Sequence, residues 1–161
     1  ASLLLGICRR YCSNIDDAED ILQEGFIKIY MNINQYSGKE SFEGWMKRIV
    51  INTALNDYKN NLKHRYQVDI EKVRDDGYVD NYGSNVEFSR QELLDVINEL
   101  PEGYKVVFNL FAIEGYKHHE IAALLTISEG TSKSQYARAK SLLAQKIMKR
   151  NRTNRYGTGE L

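Results

Sequence analysis

The chain has 161 residues, 42% hydrophobic and 27% charged, a composition that suits one ordinary globular domain or two very small ones. No apolar run approaches the ~20 residues needed to cross a bilayer, and no stretch reads as a secretory signal, so a cytoplasmic protein without direct membrane insertion is expected. Basic and acidic residues number 22 each, and a net charge of zero argues against a freestanding nucleic-acid binder, which is usually basic as a whole.

The chain begins at Ala1 rather than Met, so a missing N-terminal turn or two is expected. Cys8 and Cys12 share one helical face, but the three histidines lie far off in sequence, so two reduced thiols are expected rather than a metal site. Ile15-Asp16-Asp17 offers a helix start with acids over the positive end of the dipole. Ala18, Ile21, Leu22, Gly25, Phe26, Ile29 and Ile33 then recur at spacings of three and four, an amphipathic stripe. A polar break over 34–41 follows, with Ser41 placed to cap a helix over about 42–62 whose predicted core stripe is Phe42, Trp45, Met46, Ile49, Val50, Thr53 and Ala54.

Periodicity fades between Lys63 and Ser89, and residues 66–92 hold seven acids against three bases. This stretch reads as a flexible acidic linker, too long for a loop inside one compact domain. Helical pattern resumes at Glu92, Pro101 can open a further helix, and short helices over 118–125 and from Glu129 onward close the chain. The fold class expected is all-α: two small helical domains joined by the linker, the second with a helix-turn-helix. Their bounds are 1–62, a linker over 63–89, 90–150, and a basic, disordered tail over 151–161.

Three surfaces carry chemical meaning. From His118 to Lys133 a short helix with Ala122 at its centre, a turn at Thr126-Ile127-Ser128 and a polar helix make the helix-turn-helix pattern. Between Thr131 and Arg155 stand eight bases and no acid. Glu129, Thr131, Ser132, Lys133, Gln135 and Tyr136 would face a major groove, with Arg138 and Lys140 suited to phosphates. The bland alternative is a helical hairpin with a solvated basic face.

On the 42–62 helix, Arg48, Asn52, Asn56 and Lys59 form a polar face beside the Tyr36–Ser41 loop, with Ser37 and Lys39. Amides next to such a loop could hold an unstacked base, or simply be a wet helix face. Between Asp16 and Glu24 stand five acids and no base, a solvated cap or a docking surface for a basic partner. No nucleophile, phosphate-binding glycine loop or cluster of metal ligands is visible, so neither an enzyme nor a cofactor or metal is expected.

Asp17-Ala18-Glu19-Asp20-Ile21-Leu22-Gln23-Glu24-Gly25-Phe26 and Phe42-Glu43-Gly44-Trp45-Met46-Lys47-Arg48-Ile49-Val50-Ile51-Asn52 together resemble the polymerase-binding and promoter-melting domain of extracytoplasmic-function sigma factors, of the sigma-70 family. Leu100-Pro101-Glu102-Gly103-Tyr104-Lys105, Gly115-Tyr116-Lys117-His118 and Glu129-Gly130-Thr131-Ser132-Lys133-Ser134 resemble their upstream-element domain. The resemblance covers roughly residues 10–62 and 90–148.

It implies that Asp17, Glu19, Asp20, Gln23 and Glu24 dock on core RNA polymerase. It implies that Asn52 lies beside a pocket for a flipped minus-ten base, lidded by the 36–41 loop, and that the last helix reads the minus-thirty-five element of promoter DNA. It also implies that the linker threads toward the polymerase's channels, and that an anti-sigma factor, possibly membrane-bound, acts as inhibitor. Thr126 stands where glycine is common and Ser132 where many relatives carry valine. The N-terminus looks shorter than the family's first helix.

Magnitudes separate this reading from a stand-alone helix-turn-helix regulator. Opening about ten base pairs at ~1.4 kcal/mol per step costs on the order of 14 kcal/mol, and two or three stacked bases at ~1–3 kcal/mol each return less. Melting therefore requires polymerase. A stand-alone regulator would leave the first lobe unexplained, and a recombinase would need a larger catalytic domain.

Overall fold

The computed structural model describes residues 2–65 and 89–156, and the chain divides into two compact units on either side of the intervening segment. All but the two ends of the expected linker lies outside the described residues. Every regular element among the described residues is helical, and no strand occurs.

The first unit holds α1 (Ser2–Tyr11), α2 (Ile15–Asn32), a single tight turn at Ile33–Gln35 and α3 (Phe42–Arg65). Asn14 caps α2, its Oδ1 accepting from the Asp17 amide at 2.8 Å, and Ser41 caps α3, its Oγ accepting from the Gly44 amide at 3.0 Å. Leu4, Ile7, Cys8 and Tyr11 of α1 meet Ala18, Ile21 and Ile29 of α2 and Val50, Ile51, Ala54 and Leu55 of α3 in one core. Each buried Val, Leu or Ile is worth about 1.5–3 kcal/mol. A Cβ on Gly25 would stand 3.0 Å from Val50 Cγ2, so glycine lets α2 and α3 cross closely. Burial pushes the Cys8 thiol up to about 11, which makes it a small apolar core group.

Three expectations for this unit are corrected. The core stripe of α3 omitted Ile51 and Leu55, which are buried because α3 packs on α1 as well as α2. Phe26 and Ile33, on the expected amphipathic stripe, and Phe42, read as core, are 42%, 47% and 40% exposed. α3 also continues to Arg65, past the expected linker start.

The second unit holds α4 (Arg90–Asn98), α5 (Glu102–Phe108) running into a wide π-turn at Asn109–Ile113, α6 (His118–Leu125) and α7 (Glu129–Tyr156). Ser89 and Glu92 close a capping box on α4, and the Ser89 amide bond holds the Glu92 carboxyl below its usual range. Val96, Ile97 and Leu100 pack on Ala139 and Leu143 of α7, with Tyr104, Phe108, Leu142 and Ile147 around them. Glu99 pairs with Lys146 and Arg150 and ties the end of α4 to the middle of α7. α7 is helical to Tyr156, so residues 151–156, expected as disordered tail, extend the helix instead.

Candidate nucleic-acid and partner surfaces

α6, the turn and α7 form the helix-turn-helix. Thr126 ends α6 in the left-handed region (φ 58°, ψ 48°), the one non-glycine residue with positive φ among those described. A β-branched side chain there costs about 1–2 kcal/mol. Ser128 opens α7, its Oγ accepting from the Thr131 amide at 3.0 Å. Ile121 is fully buried under the corner.

The predicted groove-facing residues divide by azimuth. Ser132, Tyr136, Ala139 and Leu143 recur at spacings of four, three and four, the buried line of α7. Ser132 is 0% exposed, and its hydroxyl lies 2.9 Å from His118 Nδ1. The Tyr136 ring packs on Phe108, Phe111 and His118, with Lys140 Nζ 5.0 Å over it. Ser132 is therefore withdrawn from the base-reading set and Tyr136 is a packing residue. Both are polar residues near the helix start, but the turn of the helix carries them inward.

Glu129, Lys133, Arg138 and Lys140 are exposed, while Thr131 and Gln135 flank them half-buried. Lys133 pairs with Glu129 at 3.0 Å and holds its carboxyl below the usual range. Gly130 and Ser134, which sequence reasoning passed over, are exposed on the same side. Their spacing of four, opposite Ser132, was the signal that could have found them.

In the first unit, Tyr36 anchors the loop before α3. Its hydroxyl donates to the Glu40 carbonyl at 2.6 Å, and its ring lies 5.3 Å from Phe42 and 5.5 Å from Trp45. Glu40 pairs with Arg48. Ser37 and Lys39 are exposed at the loop tip, where Gly38 takes φ +72°. Trp45, read as core, is half-buried in this aromatic trio, and by helical spacing it shares the face of Arg48, Asn52 and Lys59. The structure therefore brings Asn52, half-buried, and exposed Asn56 into line with an aromatic cluster.

On α2, Glu19, Asp20 and Gln23 are exposed and point away from the core. Asp17 and Glu24 sit toward α3: burial, then the charges of Asp17 and Glu24, push the Asp57 carboxyl up, and Glu24 pairs with Lys28 at 2.5 Å. The same outward face continues into Ile27, Tyr30 and Met31, which are 60%, 80% and 72% exposed. The surface is acidic in its first half and apolar in its second, and only the acidic half was anticipated.

Comparison with known proteins adds the following. Residues 1–63 match Sigma-70 region 2, and residues 90–143 match Sigma-70, region 4. The ECF RNA polymerase sigma-E factor of Haemophilus influenzae is 31% identical over 152 residues, 88% of this chain and 80% of that protein. Its Escherichia coli K12 counterpart is 28% identical over 142 residues, 81% of this chain and 74% of that protein. Among solved structures, the sigma factor RpoE of Bartonella quintana, in complex with the anti-sigma factor NepR, shares the fold with a TM-score of 0.54 and 22% identity, covering 92% of this chain and 91% of that one.

Proposed function

Because the chain belongs to the extracytoplasmic-function sigma factors of the sigma-70 family, subunits that direct core RNA polymerase to specific promoters and initiate transcription, we propose which surface performs each part of that work. Residues 1–62 form the polymerase-binding and minus-ten melting domain, and residues 90–150 the minus-thirty-five domain. The chain acts in the cytoplasm, as a non-catalytic subunit, and an anti-sigma factor is its inhibitor.

The observation that carries this division is the separation of chemistries. The exposed side of α7 offers Lys133, Ser134, Arg138 and Lys140 around a capped helix start, suited to a groove lined by phosphates. The outward face of α2 is acidic, then apolar, and a duplex would repel it. That face suits a protein with a basic and apolar surface: Glu19 and Asp20 steer the encounter, Gln23 offers an amide for hydrogen bonds, and Ile27, Tyr30 and Met31 supply the buried area. On α3, the face that Asn52 shares with Trp45 by helical spacing, with the Tyr36 loop packed on Trp45, suits one unstacked base.

The test is capture of core polymerase by the Glu19→Lys, Asp20→Lys double variant. Weakened capture with unchanged helical content is expected. Wild-type binding would remove α2 from the docking surface.

A further inference from the structure

The corner of the helix-turn-helix is closed by a polar bond. Ser132 is fully buried at the crossing of α6 and α7, and the hydrogen bond of its hydroxyl is to His118 Nδ1, at 2.9 Å. The His118 ring is itself clamped: it stacks on Phe111 of the π-turn with centroids 4.3 Å apart and planes 13° apart, and the Tyr136 ring stands 5.8 Å away. One imidazole thus joins the π-turn, α6 and α7. Apolar contacts in the corner, such as Ile121, press the helices together but leave rotation of α7 about its own axis weakly determined, because burial has no direction. A hydrogen bond between two buried or clamped groups has direction.

We propose that His118 is a positioning residue for promoter recognition: through Ser132 it fixes the rotation of α7, and with it which side chains of 129–138 reach the base edges. This rests on the reading of α7 as the minus-thirty-five reader. It gives His118, which lies outside the 129–138 stretch, a part in discrimination among sequences. Non-specific binding, set by phosphates and the charges of Lys133, Arg138 and Lys140, is left alone.

The experiment assembles holoenzyme from the full chain and core RNA polymerase and selects from a duplex library randomised across the upstream element. Three variants are compared with wild type: His118→Phe, which keeps the stack on Phe111 but loses the bond; Ser132→Ala; and the double variant. Thermal unfolding is measured alongside. His118→Phe strands a buried hydroxyl and lowers the melting temperature, and adding Ser132→Ala removes that hydroxyl and restores it.

The expected result is that discrimination between the selected element and its single-base variants falls by about fivefold to tenfold in all three. Stability therefore recovers in the double variant while discrimination does not. Discrimination that returns together with stability would show that His118 acts only by holding the fold, and would overturn the proposal. Ser132→Ala discriminating as wild type would overturn it as well. A wild-type holoenzyme that enriches no upstream sequence would instead sink the reading of α7, and the positioning role with it.

Discussion

Ahead of α3, Glu40 meets Arg48 with side chains 30% and 58% exposed, beside the rings of Tyr36, Phe42 and Trp45. Between α6 and α7, half-buried His118 meets Ser132, which is 0% exposed, beside Phe111 and Tyr136. Both surfaces read as DNA-facing thus carry a polar contact backed by aromatic rings, and the two contacts differ in how much water reaches them. The wet ion pair orients its partners at little gain in stability, because solvent screens it and competes for both groups. The dry bond is costly to break from one side, since the stranded hydroxyl has no water to turn to. On the proposed reading, the loop exchanges partners when a nucleic acid arrives, whereas the recognition helix keeps the angle it has.

The largest effect should come from breaking the dry contact on its half-exposed side. His118→Ala leaves Ser132 buried without its partner and should cost the second unit about 1–3 kcal/mol. Ser132→Ala, which leaves the half-exposed imidazole access to water, should cost markedly less. Hydrogen exchange at the amides of α6 and α7 reads the difference, with α1–α3 as the internal reference. Equal costs would erase the distinction between the two contacts.

In the wet region the effect should appear in function. Asn52→Ala should change stability by no more than about 0.5 kcal/mol but remove about 1–3 kcal/mol of discrimination at one minus-ten position. Open-complex formation should be impaired on a normal template and on one already unpaired there, and normal behaviour on both would return Asn52 to a plain helix face. The smallest change is expected for Arg48→Ala, under about 1 kcal/mol by urea unfolding. A loss above about 2 kcal/mol would mean that water does not reach the Glu40 pair as its exposure suggests.

Helix positions and the turn were readable from spacing, because Asn, Ser and Gly punctuate the chain where α2, α3 and α6 begin or end. Azimuth was less readable. Ser132 is polar yet innermost, because a histidine fourteen residues earlier supplies its partner, and no local pattern announces that bond. Ile51 and Leu55 lie off a single apolar stripe and are buried because α1 as well as α2 packs on α3. Phe26 lies on the expected stripe and Ile27, Tyr30 and Met31 lie off it, yet all four are exposed: hydrophobicity alone does not tell a face that meets its own domain from one left for a partner.

Thr126 carries a consequence for motion. Whatever strain the left-handed threonine holds in the closed corner is released when the turn opens, so opening costs about 1–2 kcal/mol less than it would with glycine. That makes the open form about five- to thirty-fold more populated. The recognition helix therefore closes on a turn that opens more easily than the same turn built on glycine would.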